Sequence, residues 1–335
     1  MPLDQETREA NEGTCTGPVW DAQSLRSRPG WEISLPLQAG RDFLAYLRSH
    51  PDRGLDVDPL ELNRTTAPSL LHFAAEMRDR LLFGEGVVWL KDLQGCGISR
   101  QDQPAFCVAL GALMGRVMSE YGPLYPVRDR GVDYTREAVP VSMTNAETGI
   151  HTDSSSVDCL PDIVGLLCEQ PSRNGGDSLL CNALRAYWSL RLRSPWVIKI
   201  LEQDFIRDVV TPGRDQNQSN LLRNSFPIFS PSSPGQTRTF RYMRYWIEKG
   251  QERAGRPLST RQMSALDALD KELRAPANIV RLKLERGDLL WVNNRRVAHG
   301  RERYRDTADN QRRLHRIWVE VPGDPRPGLE PSLLL

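Results

Sequence analysis

Seven short runs rich in β-branched and aromatic residues, cut apart by Gly, Pro, Asn and Ser, constrain this fold more than any other feature. They are "DIVGLLCEQ" (162 to 170), "GDSLLCNA" (176 to 183), "SFPIFS" (225 to 230), "TFRYMRYWI" (239 to 247), "NIVRLKL" (278 to 284), "DLLWVNN" (288 to 294) and "RLHRIWVEV" (313 to 321). Short strands at that density predict a mainly β fold with an antiparallel barrel or jelly roll at its centre. Helices are predicted to flank it, over 184–193, 195–203 and 259–273, the last behind a Ser259 cap. The N-terminal third alternates. Leu70, Leu71, Ala74, Met77, Leu81 and Leu82 recur at helical spacing over 69–83 behind Ser69. "GVVWLKDL" then reads as a buried strand, and a second helix follows over about 99–115.

Residues 31–321 are expected to form a single domain, with a loosely held segment over 1–30 and a Pro-rich tail over 322–335. Two long irregular stretches, 118–150 and 210–236, have the length of lids or binding loops. Lys plus Arg number 44 against 43 Asp plus Glu, so no charge imbalance calls for nucleic acid or an acidic membrane. A small-molecule substrate is the expected partner, and a homo-oligomer is compatible with the sequence. No run of 18 apolar residues could span a bilayer, and the start has no basic or apolar leader, so a cytosolic protein is expected. The six cysteines form no C-x-x-C pair and read as buried reduced thiols.

The five histidines carry the chemistry. In "GIHTDSS" (149 to 155), an extended strand would alternate its side chains, sending His151 and Asp153 to one side and Thr152 to the other. An imidazole and a carboxylate delivered to one point are two thirds of the 2-His-1-carboxylate triad that binds non-haem Fe(II) with positions left open. H-x-D alone arises by chance in many proteins, so the context must agree. Among the remaining histidines, His72 lies inside a predicted helix and His50 precedes a proline near a helix end; both read as structural or surface residues. His299 sits at the end of an apolar strand. In "RRLHRIWVE" the period of two places Arg312, Leu314, Arg316 and Trp318 on one face and His315 on the other. Arginines sharing a face with Leu and Trp read as an inward strand that grips a carboxylate, which a guanidinium does bidentately. His315 then faces away, and His299 becomes the third ligand.

"GIHTDSS", "NGGDSLL" (174 to 180), "NNRRVAHGR" (293 to 301) and "RRLHRIWV" (312 to 319), in this order, resemble the Fe(II)- and 2-oxoglutarate-dependent oxygenases related to taurine dioxygenase and clavaminate synthase. The resemblance spans about residues 60–321. It implies a double-stranded β-helix, the cupin-like jelly roll, with flanking helices. It implies Fe(II) on His151, Asp153 and His299, and 2-oxoglutarate held by Ser178 and Arg312, with Arg316 as a second arginine. It also implies O₂ as co-substrate, succinate and CO₂ as products, and oxidation of an unactivated C–H bond, as in enzymes of secondary metabolism. Relatives that halogenate have lost the carboxylate ligand, so Asp153 favours hydroxylation, desaturation or ring formation.

For the substrate, the loop 118–150 precedes the metal strand, which makes Tyr121, Tyr125, Arg128 and Asn145 candidates for contact. Arg241 and Arg244 in "FRYMRYWIE" are candidates for capturing a substrate carboxylate, implying an amino-acid-like molecule. Two other readings remain at this point: a Zn-dependent hydrolase on the same triad, which has no use for the dicarboxylate clamp, and a catalytically silent jelly-roll binding protein.

Overall fold

Side-chain alternation along each strand sorts the apolar residues of this chain into separate cores on the two faces of each sheet. The structure, a computed structural model, describes residues 17–133, 139–209, 217–230 and 238–322. Its strands are β1 (Glu32–Ser34), β2 (Val87–Lys91), β3 (Arg116–Val117), β4 (Tyr125–Val127), β5 (Thr148–His151), β6 (Ile163–Gln170), β7 (Asn174–Gly175), β8 (Ser178–Asn182), β9 (Asp204–Ile206), β10 (Ser225–Pro227), β11 (Val280–Leu282), β12 (Leu289–Asn293), β13 (Val297–Arg301), β14 (Tyr304–Arg305) and β15 (Arg313–Glu320). Its helices are α1 (Ala22–Ser27), α2 (Leu37–Ser49), α3 (Pro68–Leu82), α4 (Gln103–Met114), α5 (Ala183–Arg193), α6 (Pro195–Leu201), α7 (Gln218–Arg223), α8 (Arg244–Arg253) and α9 (Thr260–Leu273).

A seven-stranded sheet runs β1-β2-β12-β6-β15-β3 with β4 also on β15, and a four-stranded sheet runs β11-β8-β13-β5. Apart from the parallel β1–β2 pair, the pairings within these two sheets are antiparallel. Val164, Cys168, Leu290, Val292, Leu314 and Trp318 of the large sheet share one core with Leu180, Val280, Leu282 and Val297 of the small one. The alternate residues face outward. Ile163, Leu167, Leu289, Trp291, Ile317 and Val319 pack with residues of α2, α3 and α4, while Ile150, Cys181 and Ala298 pack with residues of α5, α6 and α9. Two facing sheets between helical layers are the jelly roll expected from the sequence. Gly165 makes one of these contacts feasible, since a Cβ there would lie 2.6 Å from the Trp291 ring and 2.7 Å from Ile317. No helix among the described residues is long and apolar enough to cross a membrane.

Three expectations change. The segment 17–30 is not loose: Trp20 and Leu25 are buried in the core between the sheets, and the Trp20 indole donates to the Glu85 carbonyl at 2.7 Å. The remaining terminal residues, 1–16 and 323–335, lie outside the described residues. "TFRYMRYWI" is not a strand. Phe240 makes a single bridge to Phe229 and helix α8 begins at Arg244, where the side chain reaches Glu248 one turn on at 2.7 Å and the apolar residue that matters is the fully buried Ile247.

Ser69 does not cap α3 either. The N-cap is Ala67, with no side-chain bond of its own, and Pro68 occupies the first turn. The cap comes from a distant residue: the buried Asp42 carboxylate accepts from the backbone N–H of Ser69 at 2.7 Å and of Leu70 at 3.1 Å. Asp42→Ala removes the acceptor and strands both donors, so urea unfolding should show a loss of about 2 kcal/mol; unchanged stability would mean that water caps the helix equally well. Ser259, by contrast, caps α9 as expected, in a capping box with Gln262.

Candidate active site

Strand parity and one buried amide bring three ligand atoms together. His299 lies on β13 two residues after Val297, whose side chain is in the core between the sheets, so His299 also points inward. It pairs directly with His151 at the end of β5, and the two imidazole centroids are 4.6 Å apart. The strand stops at His151, so Asp153 does not reach the site by strand alternation. Instead Asn294, fully buried, holds its backbone: the Asn294 side chain accepts from Asp153 N at 2.8 Å and donates to Asp153 O at 3.0 Å. Thr152, between His151 and Asp153, accepts from Tyr242 N through its hydroxyl at 2.9 Å. Ser154, at φ 70, tightens the turn that follows.

One ligand atom from each of His151, Asp153 and His299 lies within 4.8 Å of the others. Asp153 Oδ1 is 3.7 Å from Nε2 of each histidine. The other ring nitrogen of His151, Nδ1, bonds the Gly149 carbonyl at 2.8 Å, which places its proton there and leaves the Nε2 lone pair for a metal. Burial works against the charge of Asp153, but the Arg316 guanidinium, with the two histidines, holds its carboxyl well below the usual carboxylate range. Burial, reinforced by His151, lowers the His299 pKa. A carboxylate held ionised beside two imidazoles is the donor set that suits Fe(II).

A cavity of ≈ 150 Å³ opens onto these atoms and is also lined by Ser178, Arg301, Arg312, Arg316 and Trp318. Leu314 lines it as well, whereas His315 pairs with Glu169 at 2.7 Å, off the lining; the parity read in β15 is therefore the parity of the fold. Arg312 is buried, and its Nη1 has no hydrogen-bond partner among the described residues. Its Nη2 lies 3.5 Å from the Gly176 carbonyl. The glycine pair explains itself here. Gly175 and Gly176 have φ of 72° and 79°, and a Cβ on Gly176 would press to 3.1 Å from Arg312 Nε.

Arg301 was not foreseen, although "HGR" carries the signal: on β13 it shares the inward face with His299 and pairs with Ser178. It donates to the carbonyls of Thr144, at 2.8 Å, and Ala146. Burial, then the neighbouring Arg312, pushes its pKa down to about 10; burial likewise lowers that of Arg312. The Tyr304 ring lies beside both guanidiniums. Neither has a carboxylate partner among the described residues, so this part of the cavity is built for an anion. Arg316 differs: it is 3.1 Å from Asp153 Oδ1.

The substrate candidates separate. Tyr121 lines the cavity, edge-on to Trp318 at 5.3 Å, and Tyr125 packs beside Arg316 at 5.1 Å. The others are off the lining. Arg128 is exposed; Asn145 contributes its carbonyl to Tyr304 N at 3.2 Å. Arg241 is buried against Phe226 and donates to the Ser156 carbonyl. Arg244 is held by Glu248, Asp267 and Asp270 at 2.7, 2.8 and 2.7 Å, which raises its pKa although burial opposes this. Glu120, also unforeseen, is an exposed carboxylate on the cavity lining with no ion pair among the described residues. The loop 118–150 does form a wall, through Glu120, Tyr121, Val127, Pro140, Val141 and Ser142.

Comparison with known proteins agrees with this geometry. The chain is similar to FR-33289 synthase of Streptomyces rubellomurinus (strain ATCC 31215), 22% identical over 314 residues, covering 90% of this chain and 89% of the relative. It is 31% identical to a uridine-5'-phosphate dioxygenase of a Streptomyces species over 194 residues, covering 56% of this chain and 66% of the relative. The fold is similar to that of an asparagine oxygenase solved with Fe(II), (2S,3S)-3-hydroxyasparagine and succinate, with a TM-score of 0.61 and 18% identity over 87% of this chain and 93% of that one. Residues 60–318 match the model of the taurine catabolism dioxygenase TauD, TfdA family. The chain belongs to that family, and is a dioxygenase dependent on Fe(II) and 2-oxoglutarate.

Proposed function

We propose that His151, Asp153 and His299 hold the Fe(II), that Arg312 and Ser178 take the far carboxylate of 2-oxoglutarate, and that the substrate is a small, amine-bearing, amino-acid-like metabolite. The observation that carries the reading is the presence, in one cavity, of three converging ligand atoms and a buried guanidinium whose Nη1 has no partner among the described residues. A buried cation without a counter-ion is costly, and a dicarboxylate anchored at the metal supplies one. Bound iron supplies the O₂ chemistry that couples decarboxylation of 2-oxoglutarate, to succinate and CO₂, with oxidation of an unactivated C–H bond.

This chain's own residues bind and orient. Arg312 and the Ser178 hydroxyl donate to the far carboxylate, and Arg301 adds positive potential at the same place while pinning the wall at Thr144 and Ala146. Val127, Val141, Leu314 and Trp318 give the cavity an apolar side that excludes water from the reacting carbon. Glu120 and Asp153 are the acidic residues on the described lining, and Asp153 is committed to the metal site. Glu120 is therefore the group that meets the substrate from the rim, and a carboxylate there selects an ammonium. The asparagine oxygenase of similar fold was solved with a hydroxylated amino acid bound, which supports this class. A nucleotide phosphate would instead meet like charge at Glu120.

The reading is tested by supplying Fe(II), 2-oxoglutarate and ascorbate with a panel of amino acids and related amines while following succinate. Release above background is expected with a free amine and should be lost on its N-acylation. Glu120→Gln should raise KM for that amine about tenfold, as loss of a charged hydrogen bond does, and leave KM for 2-oxoglutarate unchanged. Release driven only by compounds without an amine would overturn the substrate class.

A further inference from the structure

We propose that Trp318 is a positioning residue that keeps the Asp153 carboxylate to a single iron-facing oxygen, with Arg316 completing the grip. This rests on the metal reading of His151, Asp153 and His299. The two carboxylate oxygens of Asp153 have different surroundings. Oδ1 is the oxygen that both histidine Nε2 atoms approach, at 3.7 Å each, with Arg316 Nη1 at 3.1 Å beside it. Oδ2 faces the other way, into the Trp318 indole N–H at 2.7 Å. Trp318 is nine-tenths buried, so this bond is not exchanged for water.

The donors are themselves held. Trp318 and Arg316 share the inward face of β15, which pairs along its length with β6, and β4 adds a second neighbour at Arg316. The Arg316 guanidinium lies 5.1 Å from the Tyr125 ring and 4.8 Å from that of Trp318, a stack that fixes its direction. Tyr121 packs edge-on against the indole. Asn294 holds the Asp153 backbone, so the carboxylate projects from a fixed point toward the two donors.

The chemistry explains why an indole suits this place. A carboxylate can ligate with one oxygen or two, and a second oxygen would occupy a coordination position that the triad must leave open for the co-substrates. An indole N–H donates to Oδ2 without titrating and without offering the metal a lone pair. A lysine or histidine there could do one or the other. Outer donors of this kind set both ligand orientation and metal affinity.

The test compares wild type, Trp318→Phe and His299→Ala by anaerobic titration of the metal-free protein with Fe(II), and with Co(II) for its visible spectrum. Trp318→Phe keeps an aromatic ring at this place and removes the N–H together with the fused five-membered ring. It should weaken metal binding about 10- to 100-fold, shift the Co(II) bands, and reduce the 2-oxoglutarate charge-transfer absorption per bound Fe(II), changes that a loss of packing alone would not produce in a folded variant. Metal affinity and spectra equal to wild type would overturn the proposal while leaving the triad intact. Equal binding by wild type and His299→Ala would overturn the triad itself and the proposal with it. Should Trp318→Phe fail to fold, the wild-type indole proton of Trp318, followed by ¹⁵N NMR, supplies the answer: protection from solvent exchange with and without Zn(II) supports the bond, and rapid exchange overturns it.

Discussion

Asp153→Ala should leave no measurable substrate-driven succinate release. Asp153 is the anionic member of the proposed ligand set, and its buried carboxylate is held ionised chiefly by Arg316 against the cost of burial. Removing it takes away a metal ligand and strands two donors, the Arg316 guanidinium and the Trp318 indole, around a hole. The guanidinium then becomes an uncompensated cation next to the ion it formerly helped to bind. Breaking a buried charge pair from one side costs about 3–5 kcal/mol of folding stability, separate from the metal–oxygen bond that the variant also loses. The check is direct: anaerobic addition of Fe(II) and 2-oxoglutarate should give a weak visible charge-transfer band in wild type and none in Asp153→Ala. Wild-type turnover by the variant would refute the assignment.

Arg312→Ala should raise KM for 2-oxoglutarate by about 30- to 1,000-fold, the range set by about 2–4 kcal/mol for a desolvated charge pair broken on one side. Much of that cost comes from leaving the co-substrate's far carboxylate without its cation in a cavity shielded from water. Arg301 cannot substitute, because its Nη2 is committed to the Thr144 and Ala146 carbonyls. Metal binding should be unaffected, which separates this variant from Asp153→Ala. A KM within a factor of three of wild type would show that the far carboxylate sits elsewhere.

Much of this site is legible in the sequence alone, and for a simple reason. His299, Ser178, Arg312 and Arg316 lie on or next to strands, and strand geometry has a period of two, so counting along "RRLHRIWVE" separates the inward Arg316 from the outward His315 without knowledge of the partner strands. No such period governs the rest of the site. Asp153 was assigned to the strand of His151, yet it lies past the strand's end and owes its position to Asn294, 141 residues away in sequence. Arg241 and Arg244 looked like substrate residues because Arg-rich aromatic runs suggest strands. A helix forms there instead, and Arg244 satisfies its charge on carboxylates of α8 and α9. Glu120 and Arg128 are eight residues apart in one loop, and nothing local distinguishes them. Only the packed loop puts Glu120 on the cavity wall and leaves Arg128 outside it.

By itself, the order of residues determined most of the short strands, which of their faces is apolar, and the side chains here proposed to meet a ferrous ion and a dicarboxylate. Those properties are local, following from chain stereochemistry and side-chain chemistry within a few residues. Tertiary structure alone decided how Asp153 is oriented, where the cap of α3 comes from, which guanidiniums stay unneutralised and which acid faces the cavity. Each of these depends on a partner contributed from far along the chain, and long-range pairing is set by the packing of whole sheets and loops.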